Sequence, residues 1–225
     1  MSQPESIVAA RRRAEMVARM RSIARTGAPS QTGGAPGSAQ ERCDLCHTTV
    51  PEDHRHMLHL VERRIVCTCE ACWALYSGNA EYRPTGSRTL FLDDFQCDAE
   101  LWGTFQIPIG LAFFMRSTVT GGVVAFYPSP AGATESELSL DAWEALVARN
   151  PTLEGLDSDA EALVVSRISV PAQYAILPID ACYALVGLVK SRWEGISGGG
   201  AIEQAVPEFF AALRARAPAG TGIAS

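Results

Sequence analysis

The stretch Cys43-Asp44-Leu45-Cys46-His47, continued by Glu52-Asp53-His54-Arg55-His56-Met57-Leu58-His59 and closed by Cys67-Thr68-Cys69-Glu70-Ala71-Cys72-Trp73, holds five of the chain's seven cysteines and all four of its histidines. Two Cys-x-x-Cys pairs, Cys43/Cys46 and Cys69/Cys72, stand 22 residues apart, slightly beyond the usual zinc spacing. Strand character over Arg55–Val61 and Arg64–Thr68, with a two-residue turn at Glu62-Arg63, predicts a hairpin that brings Cys46 and Cys69 to one end. The run Glu70–Tyr76 reads as a helix, which places Cys69 and Cys72 on one face of its first turn. A knuckle and a helix that donate two thiolates each, with a hairpin between them, make a small treble-clef or zinc-ribbon-like module. Such a module closes a tetrahedral four-thiolate site, and Zn2+ is the usual occupant.

In this register His56 lies opposite Cys69 and Leu58 opposite Cys67, so His54, His56, Cys67 and Cys69 project from one face of the hairpin. More ligands are then present than one four-coordinate ion takes. Cys67, His54 and His56 are left as alternative ligands, an outer shell, a second site or a point of metal or redox exchange. His59 falls on the other face, as a packing or surface residue. An iron–sulfur cluster held by four of the five thiolates is the alternative cofactor, because all-cysteine sets suit both metals. Cys43-x-x-Cys46-His47 also matches a haem attachment pattern, but that chemistry requires export and leaves Cys67, Cys69 and Cys72 without a role. A thioredoxin-like dithiol lacks its βαβ setting. Cys97 and Cys182, outside the cluster, read as small buried apolar residues.

The rest of the sequence narrows the chemistry further. The single lysine, Lys190, sits between Val189 and Ser191, which excludes a Gly-Lys-Ser/Thr phosphate loop and leaves one residue for any Schiff base. Since every histidine lies in the module, a triad or imidazole base would have to be built there. A metal-dependent hydrolase on His54 and His56, with Asp53 as carboxylate, is one such reading. No Gly-x-Gly-x-x-Gly or Gly-x-Ser-x-Gly element stands at a strand-to-helix junction, and the acids Asp93, Asp94, Glu135 and Glu137 read as solvated faces. The balance leans away from an enzyme.

Charge and composition divide the chain. Residues 1–25 form a basic amphipathic helix, with Met16, Val17, Met20, Ile23 and Ala24 in a stripe between arginines, suited to a membrane surface or a partner groove. Residues 26–40 are a Gly/Ala/Pro/Ser-rich flexible linker. Residues 41–80 are the metal module, 88–217 an acidic domain, and 218–225 a disordered tail. The first 30 residues carry a charge of +4, which leaves −10 for the remainder and argues against a nucleic-acid face. No apolar run approaches a membrane span and no secretory signal opens the chain, so a reducing cytoplasm is the expected compartment.

In the acidic domain, strands are predicted at Thr89–Leu92, Ile109–Ser117, Gly122–Tyr127, Ala162–Ile168 and Tyr174–Ile179. Helices are predicted at Leu140–Arg149 with Ser139 as cap, at Ala181–Trp193 with Asp180 as cap, and over 201–216 with a kink or break at Pro207. Pro128–Glu135 and Ser197–Gly200 read as connecting loops. The fold class is α+β, with helices on a mainly antiparallel sheet.

Taken together, the segments Glu41-Arg-Cys-Asp-Leu-Cys46, Pro51-Glu-Asp-His-Arg-His56, Cys67-x-Cys69-x-x-Cys72, Ile107–Arg116, Tyr127–Leu138, Leu177–Leu188 and Trp193–Gly199 resemble an uncharacterised, actinobacterial-type family. Its members are often encoded beside high-affinity uptake nickel–iron hydrogenases. The resemblance spans most of residues 41–216, with the N-terminal helix and linker outside it. It implies a hydrogenase subunit or accessory protein as partner, and a role in assembling, maturing or wiring that enzyme, but no reaction. His47 and His59 depart from the family's pattern, which weakens the haem reading and any ligand role for them.

Overall fold

The computed structural model describes residues 41–136, 138–194 and 199–216, all within one compact unit spanning Gln40–Ser225. The expected basic helix, linker and tail lie outside the described residues, as do residues 195–198, which include the first half of the expected loop at 197–200.

The chain first forms β1 (Arg55–His59) and β2 (Arg64–Thr68), then α1 (Glu70–Tyr76) and β3 (Tyr82–Pro84), giving a three-stranded antiparallel sheet in the order β2-β1-β3. A six-stranded sheet follows, built from β4 (Leu90–Phe91), β5 (Leu111–Ser117), β6 (Gly122–Ser129), β7 (Gly132–Ser136), β8 (Glu161–Ser166) and β9 (Gln173–Pro178). Its order is β4-β9-β8-β5-β6-β7, and every neighbouring pair is antiparallel. The helices are α2 (Ala99–Thr104), α3 (Leu140–Arg149), α4 (Ile179–Ser191) and α5 (Gly200–Arg216), with a 3-10 turn at Pro151–Gly155. The α+β class with mainly antiparallel sheets is as expected.

Strand alternation places two cores on the large sheet. Leu111, Phe113 and Met115 of β5 pack with Val164, Leu177, Leu185 and Phe210 on one face, under α4 and α5. Ala112 and Phe114 pack with Leu163, Ile176, Leu101, Trp143 and Leu146 on the other, under α2 and α3. Burial on both faces explains why β5 reads as an unbroken apolar run and not as an alternating one.

The small sheet is fastened to this body by its own residues. Leu58 of β1 is part of the α4-side core. The Tyr183 hydroxyl donates to the Arg63 carbonyl at 2.6 Å, and the Arg63 guanidinium is paired with Glu135 of β7. Gly86, on the connection to the body, donates its N–H to the Ala160 carbonyl at 2.9 Å. A Cβ there would lie 2.8 Å from Glu161 Cγ and 3.1 Å from that carbonyl oxygen. Glu161 is itself buried and held by Arg88, so it cannot swing clear. The Gly86→Ala variant is therefore expected to lose about 1–3 kcal/mol of stability, read as a lower denaturant midpoint at unchanged slope.

Four local expectations are corrected. The β1–β2 hairpin closes through four residues, 60–63, and pairs His56 with Cys67 and Leu58 with Ile65. A two-residue turn needs positive φ at its first central position, or at both, and Glu62-Arg63 offers no glycine or asparagine for it; here Arg63, the second of the pair, takes positive φ, at 50°. Pro128–Glu135 is mostly hairpin, because Gly132 at φ 117° lets β6 turn directly into β7. The helix after β9 starts at Ile179, so Asp180 lies inside its first turn, where its Oδ1 accepts from Ala181 N–H at 3.0 Å and its Oδ2 is left to reach elsewhere, while Ser139 caps by position without a side-chain hydrogen bond. Pro207 does not break α5, which runs through it with Val206 and Phe210 buried on either side.

Candidate metal centre

The first cysteine pair sits on a tight knuckle. Cys43 N–H donates to the Thr48 carbonyl at 2.8 Å and His47 N–H to the Cys43 carbonyl at 2.8 Å, and Arg42 bridges to Thr49. His47 takes the left-handed conformation, at φ 63°, and so has a turn-forming role. Asp44 joins the knuckle to β2: its N–H donates to the Cys67 carbonyl at 2.9 Å and its carboxylate accepts from Cys67 N–H at 2.8 Å. The second pair opens α1, where Cys69 is the N-cap and its sulfur accepts from Cys72 N–H at 3.5 Å. Arg55 reaches across to Glu70 and stacks over Trp73, which fixes the helix on the hairpin.

These elements bring the sulfurs of Cys43, Cys46, Cys69 and Cys72 within 4.8 Å of one another, so the four can hold a metal ion. The Cys46 and Cys69 sulfurs are 3.6 Å apart. A mononuclear tetrahedral ion with metal–sulfur bonds of about 2.3 Å needs its sulfurs about 3.8 Å apart, so the donor set fits. Its electrostatics point the same way. At Cys43 burial acts upward, but amide N–H groups of Cys69, Cys46 and Leu45 outweigh it and bring the thiol down to about 6. At Cys72, burial and the neighbouring sulfurs push the thiol up to about 12. Four thiols this close cannot all ionise beside one another unless a cation lies between them.

A second group, His54, His56 and Cys67, also brings its donor atoms within 4.8 Å of one another. The two rings meet edge to face with centroids 4.6 Å apart. His56 Nδ1 is 2.9 Å from Asp180 Oδ2; this bond, against the pull of burial, holds the imidazole pKa above its ordinary value. Burial, with the Asp44 and Glu41 carboxylates, raises the Cys67 thiol. The carboxylates that reach its imidazoles are Asp180 from α4, at His56, and Glu41, 3.6 Å from His54 Nδ1. Nothing in the local sequence signals the first of these, since Asp180 and His56 are 124 residues apart. His59 packs its ring on Tyr82 at 5.1 Å, on the far side of β1. Cys97 and Cys182 are buried in the two cores of the large sheet, and burial raises both thiols.

Two cavities open on the body, of about 510 and 340 Å3, beside the 169–174 and 90–95 segments, and neither wall includes a cysteine or histidine. No helix among the described residues is long and apolar enough to cross a membrane.

Fold and site together define an α+β protein that carries a cysteine-walled, metal-capable centre at the edge of an antiparallel scaffold. Residues 42–217 match the Family of unknown function (DUF5947), and the chain belongs to that family. No curated protein and no solved structure matches it.

Proposed function

We propose that this chain is a non-enzymatic, metal-binding accessory protein in which Cys43, Cys46, Cys69 and Cys72 hold a structural Zn2+. The observation that carries the reading is the close approach of four sulfurs from two rigid pieces, the knuckle and the start of α1. A site closed by four protein ligands has no position for substrate, as in structural zinc centres. The approach of all four sulfurs to within 4.8 Å of one another also favours one ion over an iron–sulfur cluster, whose four thiolates are shared among two or four iron atoms and so stand further apart as a set. The cluster, as an electron-transfer or carrier group, is the second reading.

The role in assembling or maturing a nickel–iron hydrogenase comes from the resemblance of the quoted segments. In this proposal the module holds its shape through the metal, and the acidic domain meets a subunit or accessory protein of that enzyme. The basic N-terminal segment provides a further contact to partner or membrane surface.

Metal analysis of the anaerobically purified chain decides between the two cofactors. One zinc per chain that resists a mild chelator is expected. Stoichiometric iron and sulfide, with visible absorbance, would overturn the zinc assignment.

A further inference from the structure

We propose that His54, His56 and Cys67 form a second metal site that binds Zn2+ through two imidazole Nε2 atoms and one thiolate and leaves one coordination position open. This goes beyond the four-thiolate centre and does not depend on which metal that centre holds.

The argument starts from an orphaned atom. The His54 side chain is 4% exposed, and its Nε2 is buried without a hydrogen-bond partner. Leaving a buried ring nitrogen unpaired costs about 1–3 kcal/mol, so the arrangement calls for a partner at that point. The other nitrogen is already committed: His54 Nδ1 is 2.8 Å from the Pro51 carbonyl, with Glu41 at 3.6 Å. Donation to that carbonyl places the proton on Nδ1 and leaves the Nε2 lone pair available.

His56 repeats the pattern with a stronger acceptor. Its Nδ1 faces Asp180 at 2.9 Å, which leaves Nε2 as the second donor. Imidazole ligands in metal sites commonly pass their other N–H to a carboxylate or a backbone carbonyl, and here one ring has each. Cys67 completes the set, because the hairpin register pairs it directly with His56 and its backbone is fixed at both ends by Asp44.

The chemistry of the set decides the ion. Two imidazoles and a thiolate suit borderline late first-row cations, Zn2+ among them, and suit Mg2+ or Ca2+ poorly. Three protein donors leave a four-coordinate ion one exchangeable position. His56 and Cys67 are only half-buried, so that position is reachable. An open, accessible site of this kind receives and releases a metal or takes a ligand from a partner.

The test titrates Co2+ into the full-length chain with its four-thiolate centre already loaded, and follows thiolate-to-cobalt charge transfer together with histidine proton resonances. Wild type is expected to take up one further equivalent. His54→Gln and Cys67→Ser should abolish that uptake while the tightly held metal stays in place. Asp180→Asn, a positioning change outside the hairpin, should weaken it by about 10–100-fold. Absence of a further equivalent in wild type, or its persistence in His54→Gln and Cys67→Ser, overturns the proposal. Should a hairpin variant also shed the tight metal, Asp180→Asn decides, and unchanged second-site affinity there overturns it as well.

Discussion

Replacing Cys72 with serine is expected to empty the four-thiolate centre at ordinary metal concentrations and to unfold the knuckle over residues 42–50. Cys72 is buried, and its sulfur lies within 4.8 Å of those of Cys43, Cys46 and Cys69. Structural zinc binding amounts to about 10–16 kcal/mol in small zinc modules. Divided over four ligands, the loss of one thiolate lowers affinity by at least about two orders of magnitude. The small apolar cluster beside the four sulfurs, with Cys43 and Val50 buried and Leu45 packed against them, is too small to hold the knuckle by itself. Competition with a chromophoric chelator reads the affinity, and amide exchange over residues 42–50 reads the unfolding. A Cys72→Ser chain that keeps its metal through chelation would show that Cys72 is not a ligand.

The second large effect lies in the body. Phe114 is fully buried on the α3 side of β5, 5.0 Å from the Phe105 ring and stacked on Trp143 at 6.0 Å. Phe114→Ala is expected to cost about 3–5 kcal/mol, since the central strand has no freedom to collapse into the cavity. At this chain length that corresponds to a fall of about 2–4 °C in midpoint for each kcal/mol. Thermal unfolding followed by tryptophan fluorescence, which senses Trp143 directly, checks it. A shift no larger than that of a surface substitution would mean the two-sided packing of β5 is wrong.

Much of this architecture was legible in the residues. The cysteine spacing marked the centre, and the helix over Glu70–Tyr76 has the predicted bounds because Cys69 both caps it and ends the strand. The apolar runs of β5, β6, β8 and β9 were legible because buried strands must be apolar. What escaped was long-range or turned on backbone conformation. The hairpin slipped by two residues, which keeps every side chain on its face and so leaves the hydrophobic pattern silent about the error. Strand β7 hid in a stretch rich in Pro, Gly and Ala whose pairing with β6 is tertiary information. Helix α2 did carry a signal, the Asp98 carboxylate accepting from Leu101 N–H at 2.8 Å, but six residues are too few for periodicity to register. Asp180 looked like a helix cap, and its bond to His56 became visible only once α4 was laid beside β1.

The double attachment of Asp44 to Cys67 has a mechanical meaning. One residue grips both the N–H and the carbonyl of a single position on β2, so the knuckle and the strand turn as one rigid piece, not as two pieces joined by a swivel. Strain applied at Cys43 or Cys46 would then reach the backbone of Cys67 through the two Asp44 hydrogen bonds. Because free-energy coupling between two binding events is reciprocal, any effect of metal at the knuckle on uptake at Cys67 would be matched by an equal effect in return, like two pans on one beam.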